Sequence, residues 1–109
     1  MISDDDIERC VDYLRDSAIP AAKAKAEVEY LSSYLSVVKA EEMAAALLKG
    51  ETTISAQDRD ARIADRYKET LRAYQTAVEE DSKYRFLREA AETKVRAWQT
   101  LKASARSGI

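Results

Sequence analysis

Apolar residues recur along this chain at helical spacing, and the last third shows it best. Tyr67, Leu71, Tyr74 and Val78 follow the 4-3-4 spacing of a helix seam. Neither Gly nor Pro occurs between Glu51 and Ser107, so nothing there forces a break. A helix over that span would be roughly 60 Å long, too long to be covered by one small core. The stripe would next reach Asp81 and Arg85, where it stops. It resumes at Tyr84, Leu87, Ala91, Val95, Trp98 and Leu101, roughly 120° round the helix. Between the two stripes Glu79-Glu80-Asp81-Ser82-Lys83 is polar on every side. Two readings stay open. Either the helix bends near Asp81 against a single intramolecular partner, or one half packs within the chain and the other pairs with a second subunit. In the second case Tyr84, Leu87, Ala91, Val95, Trp98 and Leu101 form the oligomer interface.

The first half predicts two further helices. Ser3 can cap a short helix over about 4–16, with Asp4, Asp5 and Asp6 in the turn where the helix dipole favours anions. Ile7, Cys10, Val11 and Leu14 make its apolar face. Pro20 suits the first turn of a second helix over about 20–49, which Gly50 ends. Ala24, Val28, Leu31, Leu35, Val38 and Ala45 keep a 4-3 spacing, interrupted by Glu42, and Tyr30, Tyr34 and Val37 widen that face. Ala44 to Leu48 is apolar almost all round, which predicts burial from several sides. Residues 50–65 form the connection, with a short helix from Ala56 to about Ala64. Ser55 and Asp58 resemble a capping box there, and Ala56, Arg59 and Ile63 form the inner face. Asp65 then caps a last helix over about 66–106, unless the short helix fuses with it; Ser104 to Ile109 frays. The expected fold is a single all-α domain over residues 1–109: an elongated, coiled-coil-like antiparallel helical hairpin with a short N-terminal helix.

Composition removes most chemistry. The chain has 109 residues, no His, two Gly and one Cys. Without His there is no imidazole base, no His metal site, and no Ser-His-Asp or Cys-His nucleophile system. Two Gly cannot build a phosphate-binding loop. The three N-terminal aspartates point in different directions on a helix and no further ligand set follows, so no metal and no cofactor is expected. Lone Cys10 excludes an internal disulfide framework and fits a reducing compartment. Met1-Ile2-Ser3-Asp4-Asp5-Asp6 is acidic where a secretory leader needs a basic start. No run reaches the ~18 apolar residues of a membrane span. The expectation is a non-enzymatic protein of the cytoplasm.

A net charge of −2 conceals an asymmetry: about +5 after Ser82 and about −7 before it. Basic residues there alternate with Tyr84, Phe86 and Trp98, the composition that tracks a single strand, cations for phosphates and rings for bases. Lys83, Arg85, Phe86, Arg88, Lys94 and Arg96 are the candidate nucleic-acid-binding residues, Phe86 being the ring that lies off the apolar stripe. The counter-reading is head-to-tail packing of acidic and basic ends between subunits, or a solvated face.

Several stretches carry a family resemblance: Asp12-Tyr13-Leu14-Arg15-Asp16-Ser17-Ala18; Ala26-Glu27-Val28-Glu29-Tyr30-Leu31 with Tyr34 and Lys39-Ala40; and Leu87-Arg88-Glu89-Ala90-Ala91-Glu92 with Lys94 and Ala97-Trp98. Together they resemble a family of short helical tailed-phage proteins associated with recombination and replication genes. In layout the chain is also similar to the UvsY-type recombination mediators. That resemblance implies an oligomer of helical hairpins that binds single-stranded DNA and assists a recombinase, located in the cytoplasm of the host. The alternative is a helical adaptor or inhibitor that binds a host or phage protein through its acidic N-terminal part, with Asp4, Asp5, Asp6 and Asp12 as its contacts.

Overall fold

The computed structural model describes residues 2–108. They form three helices: α1 (Asp4–Leu48), α2 (Ile54–Ile63) and α3 (Asp65–Arg106). There is no strand among the described residues, so the all-α hairpin expectation holds. The contacts divide into two compact units. One joins the chain up to Lys23 with the chain from Asp81 onward; the other is Ala24–Glu80.

The short N-terminal helix does not exist as a separate element. α1 runs unbroken for 45 residues, with Pro20 inside it. Pro20 removes the N–H that would bond the Asp16 carbonyl, and its ring crowds that carbonyl, at about 3 kcal/mol in a helix interior. Asp16, Ala18 and Ile19 are all exposed, so the disturbed turn faces solvent. The seam side explains the continuity. Ile7, Cys10, Leu14, Ser17, Ala21, Ala24, Val28, Leu31, Leu35, Val38, Glu42 and Ala45 alternate three and four residues apart, and every one is buried or half-buried. The heptad phase therefore passes through Pro20 unchanged, and packing overrides the local breaker.

α3 corrects the two-stripe reading in the same way. Along it Tyr67, Thr70, Tyr74, Ala77, Asp81, Tyr84, Arg88, Ala91, Val95 and Trp98 alternate three and four apart and are all buried or half-buried, with Leu71, Val78 and Ser82 half-buried beside them. The seam does not stop at Asp81, which is itself half-buried, as is Ser82. There is one covered side along α3, and it lies in a single helix without interruption. Tyr84, Ala91, Val95 and Trp98, expected at an oligomer interface, belong to this intramolecular side. Leu87 and Leu101, from the same set, are exposed.

The turn region explains the chain reversal. Gly50, at φ 109°, ends α1 where expected. Its N–H donates to the Leu47 carbonyl and the Glu51 N–H to the Ala46 carbonyl, the two bonds of a Schellman cap. The cap of α2 is Thr53 rather than Ser55: its hydroxyl accepts from the Ala56 N–H at 3.2 Å. This moves the inward face of α2. Ala61 is fully buried, while Arg59 and Ile63, expected inside, are exposed. Gln57 Nε2 donates to the Glu51 carbonyl at 3.0 Å, tying α2 back over the turn. One extended residue, Ala64, separates α2 from α3, so the two do not fuse, and Asp65 is the first residue of α3 rather than its cap.

In the Ala24–Glu80 unit, α2 adds a third wall, and Val38 is fully buried there. Leu47 and Leu48, expected inside, are exposed, as are Tyr30 and Val37. Asp58 of α2 accepts from Lys39 at 2.6 Å and from Arg62 at 2.9 Å. Both cations hold its carboxyl below the usual range, the Lys39 bond most. Arg66 of α3 donates to Glu41 at 3.0 Å and to the Tyr34 hydroxyl at 3.3 Å. These two bonds, Glu41 first, push its guanidinium further up. Tyr34 in turn stacks on Tyr30 at 5.8 Å between centroids. The helix reaches Arg106, beyond the start of the expected fraying at Ser104; Ile109 lies outside the described residues.

Candidate nucleic-acid interface

The basic stretch of α3 lies in the unit that also holds the start of α1. That start carries a full capping box: the Asp6 N–H donates to Ser3 Oγ at 3.1 Å and the Ser3 N–H to Asp6 Oδ2 at 3.2 Å. The Ser3 bonds, with Lys94 and Arg9 adding smaller effects, hold the Asp6 carboxyl below its usual range. Asp4 accepts from Trp98 Nε1 at 3.1 Å and pairs with Lys102 at 3.7 Å. Lys102 also sits 5.7 Å from the Trp98 ring centroid. The acidic beginning of α1 and the basic end of α3 thus meet within the chain. Over its described residues this unit carries ten basic and nine acidic side chains, close to neutrality.

Arg88 is the sharpest departure from expectation. It occupies a seam position and turns toward α1, where Nη1 donates to the Leu14 carbonyl at 2.7 Å and to Ser17 Oγ at 2.6 Å. Ser17 is 4% exposed, so Arg88 supplies the partner its buried hydroxyl needs. The guanidinium fastens two helices one turn before Pro20. Reading Arg88 as a phosphate ligand missed this. The signal that finds it is its register, seven residues after Asp81 and seven before Val95.

The remaining candidates split. Arg85 and Arg96 are exposed and eleven residues apart, about 20° from each other round the helix and away from the seam. Phe86 is 61% exposed, as expected, and the Arg85 guanidinium lies 5.1 Å from its ring centroid. Lys83 lies 5.1 Å from the Tyr84 ring centroid. Lys94 instead borders a groove of about 340 Å³ whose walls include Asp6, Cys10, Tyr13, Leu87 and Ala90. Cys10 is half-buried there. The Tyr13 hydroxyl is shielded from solvent and has no hydrogen-bond partner. Glu89 and Glu92 lie between Arg85 and Arg96 on the same side of α3, at helical i,i+4 spacing from one cation each. That side is mixed in charge, with an arginine-stacked ring at one end.

Among the described residues, no group of three His, Cys, Asp or Glu side chains could hold a metal ion, and no helix is long and apolar enough to cross a membrane. No protein-family model, no curated protein and no solved structure matches this chain.

Proposed function

We propose that this chain is a non-enzymatic accessory protein of phage recombination or replication that works as an oligomer and contacts single-stranded DNA. The contact residues are Arg85, Phe86 and Arg96; Lys83 falls roughly 160° round the helix from Arg85 and is not among them. The observation that carries the reading is the Arg85–Phe86 pair: an exposed ring already stacked under a guanidinium, able to take a base on its face and a phosphate on its cation. Arg96, three turns on, extends the same side. Arg88 and Lys102 drop out because α1 engages them. A near-neutral unit with three such residues binds weakly alone, so the reading requires several copies acting on one strand.

The test is fluorescence anisotropy of a labelled oligonucleotide at two salt concentrations, with duplex as control. Saturable, salt-sensitive preference for the single strand is expected. Arg85→Glu with Arg96→Glu should abolish it, and the milder Ala pair should flatten the salt dependence by about 1.4 log units per log unit of salt, two phosphate contacts' worth. Absence of binding at low salt removes the strand reading.

A second reading, an adaptor for a protein partner, draws on a different place from the one the sequence suggested. Asp4, Asp6 and Asp12 are engaged within the chain. Leu48 and Ile54, on either side of the Gly50 turn, are 89% and 75% exposed. Leu48→Ser with Ile54→Ser would remove such an adaptor contact and leave oligonucleotide binding unchanged.

A further inference from the structure

The last turns of α3 hold a second concavity, of about 420 Å³, lined by Trp98, Gln99, Lys102, Ala105 and Arg106. Its volume lies in the range of small-ligand sites. Lys102 and Ala105 follow Trp98 in the alternation of the seam, four and seven residues on. Asp4, which meets Trp98 and Lys102, is the first residue of α1. The concavity is therefore the seam side of α3 where α1 runs out, and Lys102, Ala105 and Arg106 are exposed there. The side chains at this open end are charged and aromatic rather than aliphatic. After Glu92 the chain carries Lys94, Arg96, Lys102 and Arg106 and no Asp or Glu. Arg106 has no ion-pair or hydrogen-bond partner among the described residues. Long side chains on a helix lean back toward its N-terminus, which brings Arg106 toward Lys102 and Trp98.

Asp4 orients the site without neutralising it. Its bond from Trp98 Nε1 at 3.1 Å fixes the indole. Its ion pair with Lys102 is long, at 3.7 Å, and the two side chains are 77% and 52% exposed, so water screens it and it adds little. Lys102 also rests 5.7 Å from the indole centroid, a cation over an electron-rich ring. The set is an oriented aromatic face, a loosely held cation upon it and a free cation one turn on. Its complement is a flat ring joined to an anion, the base and phosphate of a nucleotide. We propose that this concavity takes one nucleotide of a single strand, its base on the Trp98 ring and its phosphate between Lys102 and Arg106. The ammonium leaves the ring for the phosphate, and the base takes the face it vacates. The proposal rests on the strand reading above and extends it beyond Arg85, Phe86 and Arg96. Gln99 and Arg106 stand roughly 60° and 80° round the helix from Arg96 on the side toward the seam. A strand held at Arg96 thus enters the concavity by passing Gln99.

Trp98 is the chain's one tryptophan, so its emission reports on the site directly. The test titrates the full chain with a labelled oligothymidylate and follows anisotropy and Trp98 fluorescence together. A stacked thymine should quench the emission along the same curve as the anisotropy, and inorganic phosphate should leave it unchanged. Arg106→Gln should weaken oligonucleotide binding about fourfold at ~0.15 M salt, one phosphate contact's worth, with an unchanged helical circular dichroism signal. Trp98→Leu should weaken it roughly tenfold, one stacked base. Trp98 also packs toward α1, so Arg106→Gln decides the matter if Trp98→Leu does not fold. Oligonucleotide binding that leaves Trp98 unquenched, quenching by phosphate alone, or an Arg106→Gln chain that binds as the native one does overturns the proposal. The two readings fail separately. Anisotropy without quenching removes this pocket and leaves the Arg85–Phe86 contact standing. Quenching by thymidine monophosphate that Arg106→Gln weakens, in a chain that binds no oligonucleotide, keeps the nucleotide pocket and removes the strand contact. A chain that responds to neither loses both.

Discussion

Arg88 decides whether the basic stretch of α3 is a strand-binding surface or a packing device that happens to be charged. The perturbation is a double-mutant cycle of Arg88→Leu and Ser17→Ala. Nη1 makes two hydrogen bonds, to the Leu14 carbonyl and Ser17 Oγ. Bonds from a charged donor contribute about 1.5–3 kcal/mol each when well shielded. Arg88 is only half-buried, so about 2 kcal/mol for the pair of bonds is the reasonable figure. Arg88→Leu should remove that much and strand the Ser17 hydroxyl, lowering Tm by roughly 8 °C at roughly 4 °C per kcal/mol. Ser17→Ala loses one bond, about 1 kcal/mol. The double variant loses the same two bonds as Arg88→Leu alone, so it should be destabilised by about 2 kcal/mol where additive losses would give about 3, a coupling of about 1 kcal/mol. Thermal and urea unfolding followed at 222 nm measure all three. Additive losses, or an Arg88→Leu variant as stable as the native chain, would refute the clamp and return Arg88 to the pool of phosphate ligands.

Two further predictions concern the core and acid stability. Val38 is fully buried, so Val38→Ala should lower unfolding stability by about 2 kcal/mol, two methyl groups of transfer energy plus a small cavity, measured by urea titration. The Asp6 and Asp58 carboxyls are both held below their usual range, the first chiefly by Ser3 and the second chiefly by Lys39. Depressed folded-state values add stability that is complete above the unfolded value near 4 and is lost as pH falls through the folded one. Tm should therefore hold from pH 7 to about pH 4.5 and drop below about pH 4, and Asp58→Asn should lose part of that drop.

The parts of this fold legible in the sequence are those where one local signal decides. Ser3 caps α1 through its own hydroxyl, and Gly50 ends it because the chain needs positive φ there. Illegible were the places where packing across helices overrules local chemistry. Pro20 reads as a helix start, yet a seam in phase on both sides of it holds one helix. Asp81 and Arg88 read as solvent-facing because they are charged, yet their register puts them on the covered side of α3. Reading polarity before period cut one seam into two stripes. It also sent Tyr84, Ala91, Val95 and Trp98 to an interface between subunits. At the candidate site, Phe86 was visible because, of its neighbours three and four residues away, only Ala90 is apolar. The fates of Arg88 and Lys102 depend on Leu14, Ser17 and Asp4, which are remote in the chain.

That remoteness bears on the order in which the molecule assembles and comes apart. The bond from Gln57 to the Glu51 carbonyl closes over six residues, and the bond from Trp98 to Asp4 over ninety-four. On a logarithmic closure law the longer link costs about 2 kcal/mol more in chain entropy. The Gly50 turn with its two caps is thus the natural nucleus, and helix pairing should zip outward from it. Both ends of the chain arrive last and peel away first. Amide exchange should therefore be fastest at the first turns of α1 and the last turns of α3, and should slow on reaching the Arg88 clamp.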